Sequence, residues 1–260
     1  MPAGYTHYVF GEQVLDQLDE SIKKRIMPYI DLYHIGIHGP DILFYYDVYK
    51  KNPVKSLGFG MHQLPANSFF KHAKELIKKD ATDATLAYTI GFITHFTLDS
   101  SLHPEIGVLE NTLSMTHSLL ESELDRELLV RVGKDPLTAN LTTHIHPDYT
   151  NAQVIAPFFD LKAEEVDKAL HDLLFILKWL VAPTKLKRNF VLNVMKLGGM
   201  YEEYKGLLIS HEKDEHAASD INHLIEMKDE AVPLAVSLIN EYIKHLDDDY
   251  LNERFNRNYE

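Results

Sequence analysis

The sequence contains no cysteine, which excludes disulfide cross-links, a thiol nucleophile and thiolate-ligated zinc. Positive charge is scarce as well: 26 Lys and Arg stand against 39 Asp and Glu, for a net charge of −13 with histidine neutral. No basic run stands out, so long-range electrostatics disfavour extended DNA or RNA as a ligand, although a small phosphate ester in a pocket stays compatible with bound cations. No apolar stretch is long enough to span a bilayer. The N-terminal MPAGYTHYVFGE has neither the basic nor the apolar region of a signal peptide, and a cytoplasmic location is the expectation. Strand-period segments and repeats at solenoid spacing are missing too.

What is present is the profile of a folded chain, 260 residues with 45% hydrophobic and 25% charged side chains, and an unusually large complement of 15 His. Nearly every regular segment has helical period, which makes the expected fold all-α. Helices are expected at 9–18 and 21–33, at 67–79 with Asn67 as N-cap, and at 83–102 with Asp83 as cap and Pro104 as terminator. A further helix is expected at 112–131, capped by Thr112 and closed by Gly133, followed by a polar loop over 134–161. Residues 162–181, 184–209 and 228–247 complete the pattern.

The most telling segment is GFITHFTLDSSLHPEI, in which His95, Asp99 and His103 follow one another at intervals of four. On a helix they point at about 0°, about 40° and about 80°, so two imidazoles and a carboxylate project from one face. The preceding LAYTIGFI is apolar, and an ionised Asp99 buried beside it would be costly without a cation. MTHSLLESELD repeats the arrangement with His117 and Glu121, and Asp125 continues the line. His7 stands at the start of the first helix, Asp41 in the turn GPD ahead of ILFYY, and His62 in the loop GFGMHQLP. Taken singly, His7 reads as a capping or surface residue, Asp41 as an Asx-turn aspartate and His117–Glu121 as a surface pair. Two helices that each present His with a carboxylate at i+4 can, however, face one another and hold several metals between them. Imidazole and carboxylate without thiolate suit Zn²⁺ and tolerate Mn²⁺ or Fe²⁺. His72 competes with His62 but falls on the apolar face of its helix and is expected in the core. His144 and His146 are read either as lining the pocket rim or, preferably, as members of a polar loop, and Phe44, Tyr45, Phe69 and Phe70 as pocket-wall or, more commonly, core residues.

In order, THYVFGE, GPDILFYY, His62, GFITHFTLDSSLHP and HSLLESELD resemble the zinc-dependent phospholipase C family of the phospholipase C and P1 nuclease superfamily, over about residues 5–130. The resemblance implies a mostly helical single domain over 1–260, with a metal-bearing half at about 1–133 and a helical half at about 134–260. It implies two or three Zn²⁺ per chain. His95 and Asp99 match the family's HxxxD helix, with Asp99 bridging two metals, and His62 joins His95 on the first. His103, His117 and Glu121 hold the second, and His7 holds a third together with Asp99. Asp41 matches an acidic residue that serves as ligand or general base. Secreted members complete the third site with a freed N-terminal Trp, which this sequence lacks; removal of Met1 would instead expose the imino group of Pro2, five residues before His7. The spacing from Asp99 to His103 is tighter than in the secreted enzymes.

The implied activity is hydrolysis of a phosphodiester, phospholipid headgroup or small diester alike, by a metal-activated water. Ile42 after Asp41 offers no aromatic cage for choline. Two other readings are a helical metal-binding accessory or sensor protein without efficient catalysis, and an all-α interaction protein whose histidines are structural.

Overall fold

The computed structural model describes residues 4–199 and 201–260, apart from the side chains at 202 and 203, so the imino group expected at Pro2 lies outside the described residues. These fold into α-helices and short 3-10 turns with no strand among the described residues, an all-α architecture as the periodicity predicts. The helices are α1 (Gly4–Gln17), α2 (Glu20–Ile26), α3 (Ile30–Gly36), α4 (Pro53–His62), α5 (Asn67–Lys79) and α6 (Ala84–Leu113). They continue with α7 (His117–Arg131), α8 (Tyr149–Ile155), α9 (Ala163–Leu180), α10 (Lys185–Leu197), α11 (Tyr201–Tyr204) and α12 (Ala218–Lys244).

Helix α6 is the axis of the molecule, buried almost continuously from Ala84 to Ser100 and packed by α3, α12, α1, α5 and α7. An all-round apolar helix must be enclosed. Three of its buried hydroxyls are satisfied within the helix: Thr89, Thr94 and Thr97 donate to the carbonyls of Thr85, Ile90 and Ile93 one turn earlier. The crossing with α3 is unusually close because both helices present glycine. A Cβ at Gly36 would stand 2.4 Å from the Tyr88 carbonyl oxygen, and one at Gly91 2.3 Å from that of Tyr33. This contact fixes the chain leaving α3 against the middle of α6, where His95 lies.

Several boundaries differ from those expected. Pro104 lies inside α6, which runs on to Leu113. Proline lacks the N–H that would bond the Ser100 carbonyl. That oxygen accepts instead from Arg254 Nη2 at 2.9 Å, and the same nitrogen reaches Ser100 Oγ and Ser101 Oγ at 3.1 and 3.0 Å. A tertiary donor thus replaces the lost helical one. Thr112 consequently belongs to α6, and α7 begins at His117, whose N–H is taken by Glu110 Oε1 at 2.8 Å. Gly133, with φ of +71°, does close α7. Neither Asn67 nor Asp83 caps with its side chain. Asp83 pairs with Arg25, and Asp80 accepts from the Thr82 and Thr85 N–H groups at the start of α6. The segment expected as a loop over 134–161 contains α8, and α12 starts at Ala218, ten residues before its predicted onset.

Candidate metal centre

Five elements deliver eight side chains to one place. His95, Asp99 and His103 descend one face of α6; His7 comes from the first turns of α1, and His117 and Glu121 from α7. His62 is the last residue of α4, helical where a loop was expected, with Nδ1 held 3.0 Å from the Gly58 carbonyl. Asp41 lies in a 3-10 turn over Gly39–Tyr45. Gly39 makes that turn possible: its φ is +52°, and a Cβ there would sit 2.1 Å from His95 Cδ2.

The nitrogens and oxygens form two adjoining groups. In the first, His7, Asp41, His95 and Asp99 each bring a ligand atom within 4.8 Å of the others, and all four residues are buried. His62 stands beside it, Nε2 lying 3.0 Å from Asp41 Oδ1 and 3.7 Å from Asp99 Oδ2. In the second, His103, His117 and Glu121 converge under the same limit. Asp99 connects the two. Its Oδ2 is 3.0 Å from His95 Nε2, while its Oδ1 is 3.2 Å from His7 Nε2 and 3.6 Å from His103 Nε2. His103 and His117 each approach Glu121 Oε1, at 3.6 and 3.5 Å. His103 therefore reaches the cluster despite its tight spacing from Asp99. His7 stacks on His95 with ring centres 4.6 Å apart.

The donor set fits zinc on two grounds. Two donors on a tetrahedral Zn²⁺ at 2.0–2.1 Å lie about 3.3 Å apart, and the separations here, 3.0 to 3.9 Å, bracket that value. Moreover, the groups approach without hydrogen-bond alignment. Buried atoms without a hydrogen-bond partner include His7 Nδ1, both Asp41 oxygens, both His95 nitrogens, Asp99 Oδ2, His103 Nδ1 and Glu121 Oε2. Such a concentration of unsatisfied buried polar atoms marks a site shaped for an ion.

Electrostatics agree with the geometry. Burial would raise the Asp99 carboxyl, but His95, His103 and His7 outweigh it and hold it well below the usual carboxylate range. Burial likewise opposes ionisation of Glu121, and His117 and His103 drive its pKa down. Their partners respond oppositely: against the cost of burial, Asp99 and Glu121 raise His103 to about 9, and Glu121 raises His117.

A cavity of about 490 Å³ opens onto the second group, lined by Phe44, Phe59, His62, Gln63, His103 and Glu260 among others. Phe44 is thus a wall residue, stacked on Phe59 at 4.1 Å, whereas Phe69 and Phe70 belong to the core with Phe92, and Tyr45 is buried. His72 is exposed and bonds to the Pro157 carbonyl at 2.9 Å, not packed in the core as its helical position suggested. His144 is buried behind the site instead of lining a rim. Its Nε2 is 2.7 Å from that of His38, its ring stacks on Tyr8, and burial holds its pKa down at about 3.

Three further residues support the site. Asp125 accepts from Tyr5 N–H, Thr6 N–H and Thr6 Oγ at 3.2, 2.8 and 2.6 Å, and so anchors the turn that presents His7. Tyr259 is buried against His62 and His95, with ring centres at 5.2 and 6.0 Å, and Glu260 accepts from Gln63 at the cavity's edge. The i, i+4 continuation from Glu121 pointed to Asp125; nothing local pointed to the other two.

Among known proteins, a family model described as zinc dependent phospholipase C matches residues 6–173. No curated protein and no solved structure matches.

Proposed function

Since the chain belongs to the zinc-dependent phospholipase C family, we propose that it is a zinc-dependent phosphodiesterase whose ligands are His7, Asp41, His62, His95, Asp99, His103, His117 and Glu121. The observation that carries this reading is Asp99, a buried carboxylate that turns one oxygen toward His95 and the other toward His7 and His103. A carboxylate shared in that way suits two metal ions, with a third accommodated at His7. We place residues 1–260 in one domain, because α12 packs directly on α1, α6 and α7.

Zinc held there would lower the pKa of a water and neutralise charge on a phosphoryl group. Where it is not itself bound to metal, Asp41 would orient that water or take its proton, its oxygens being buried without a hydrogen-bond partner and His62 Nε2 lying 3.0 Å from Oδ1. Glu121 and Asp99 keep the imidazoles oriented. The stacked pair Phe44–Phe59 offers an apolar wall for the ester's organic group, which suits a phospholipid-type diester.

Zinc content and turnover of bis(p-nitrophenyl) phosphate test the reading together. Two or more zinc ions per chain with turnover, and a loss of about 10²-fold in kcat for Asp41→Asn, are expected. Stoichiometric zinc without turnover would favour the binding protein, and no stoichiometric zinc would leave only a structural role for the histidines.

A further inference from the structure

From Leu173 to Gly199 the sequence holds Lys178, Lys185, Lys187, Arg188 and Lys196 but no Asp or Glu, in a chain that is otherwise strongly acidic. The bases are interleaved with apolar residues, so they form no run. The structure folds this stretch into the end of α9 and all of α10, and leaves much of it uncovered. Helix α10 is apolar on two faces. Val191 and Met195 pack inward against Leu180, Tyr204 and Leu208. On the other face Leu186, Phe190, Val194 and Leu197, spaced 4, 4 and 3 residues apart, are 83%, 55%, 40% and 91% exposed. Phe175 and Trp179 of α9 extend this stripe, Trp179 lying 6.3 Å from the Phe175 ring and 5.9 Å from that of Phe190. Arg188 is committed inward to the Ile209 carbonyl, and Lys187 to that of Val181, whereas Lys178, Lys185 and Lys196 are exposed. A stripe of aromatic and aliphatic side chains flanked by lysines is the surface that binds in the interfacial plane of a bilayer.

We propose that the outer face of α9 and α10 docks this chain onto an anionic lipid surface, with the cleft of the metal centre turned toward the headgroups. The docking stands on its own; its catalytic purpose rests on the phosphodiesterase reading. Charge favours this occupant over a second copy. An isologous pair through this face would bring together two surfaces that carry lysines and no carboxylate side chain, and two chains of net −13 repel. An anionic bilayer, by contrast, meets on this face three exposed lysines and, from Leu173 to Gly199, no carboxylate side chain. The face also adjoins the cleft. Beneath the stripe is an apolar groove of about 240 Å³ to which Tyr204 contributes. The Lys55 ammonium lies 5.2 Å from the Tyr204 ring centre and 5.9 Å from that of Phe59, a wall residue of the catalytic cavity. No helix among the described residues is long and apolar enough to cross a membrane; the chain would lie on the surface.

Trp179 is the only tryptophan, so its emission reports on the patch directly. The full zinc-loaded chain is titrated with vesicles of phosphatidylglycerol and phosphatidylcholine in equal parts, and with phosphatidylcholine alone. Docking gives a blue shift and co-sedimentation with the mixed vesicles, both weakened by added salt. Leu186→Ser combined with Leu197→Ser, at exposed positions, should cut partitioning at least tenfold, about 1.4 kcal/mol. Lys185→Ala should cut it about fivefold, about 1 kcal/mol. In both variants turnover of soluble bis(p-nitrophenyl) phosphate stays at the parent rate. Soluble turnover without a vesicle-induced shift overturns the docking and leaves the chemistry intact; a shift without turnover does the reverse. A concentration-dependent shift without lipid, abolished in the double leucine variant, would also overturn the proposal in favour of self-association.

Discussion

Replacing Gly39 by alanine perturbs the metal centre through one methyl group. The new Cβ would sit 2.1 Å from His95 Cδ2 and 2.5 Å from His95 Nε2, where ordinary contact begins at 3.4 Å. The ring or the turn must therefore give by about 1.3 Å (3.4 − 2.1). Zinc–ligand distances hold to about ±0.2 Å, so His95 cannot follow that displacement and remain a ligand. Alanine at a φ of +52° adds about 1 kcal/mol of backbone strain. Since the turn carries Asp41 two residues on, relief by moving the backbone would displace a second ligand. The expected result is loss of at least one zinc and of turnover, measured by metal analysis and the chromogenic diester assay, with a melting temperature that zinc no longer raises as in the parent. Gly107→Ala is the control. Its Cβ would meet nothing within 4 Å in the interior of α6, so it should stabilise by about 0.4–1 kcal/mol and leave zinc binding unchanged. A folded Gly39→Ala chain with parental zinc content and turnover would refute the reasoning.

Acid should release zinc, because His103 holds its proton up to about 9 in the metal-free site and metal must displace it; affinity is expected to rise roughly tenfold per pH unit between 6 and 9 in a competition titration. Chelation should lower the melting temperature markedly, since it leaves Asp99 and Glu121 buried with only protonated imidazoles to compensate them, and excess zinc should restore it. Burial pushes Asp125 up to about 7 from 3.8, against the pull of the Thr6 and Tyr5 donors. The native chain then keeps a proton that the unfolded chain releases, so this contribution is complete below pH 4 and falls by roughly 4 kcal/mol (3.2 × 1.36) as pH rises to 7. Asp125→Asn should flatten that dependence in denaturant titrations while keeping an acceptor for Thr6. Arg254→Met removes the donor that satisfies the Ser100 carbonyl and should cost about 1–3 kcal/mol in urea unfolding without removing a metal ligand.

The pairs His95–Asp99 and His117–Glu121 were legible because a helix converts a spacing of four into a shared face, and Asp41 because GPD announces a turn before an apolar run. Their mutual arrangement was legible only through the resemblance, since no local rule sets α1, α4 and α7 around α6. The misreadings have a common physical origin. Pro104 is a terminator by local rules, and only the approach of Arg254 from a position 150 residues later cancels the penalty. His72 and His144 exchanged roles because Pro157 draws one to the surface while His38 and Tyr8 enclose the other. Tyr259 and Glu260 reach the site through backbone bonds of the C-terminal segment, Arg257 O to Ala66 N and Tyr259 N to His62 O, which no periodicity encodes.

The central claim, a buried Asp99 shared between two groups of metal ligands, is tested most directly by zinc per chain in the parent, Glu121→Ala and Asp99→Asn. Two or three zinc ions in the parent, one fewer in Glu121→Ala and a loss from both groups in Asp99→Asn are expected. Parental zinc content in Asp99→Asn, or no stoichiometric zinc in the parent, would contradict the account.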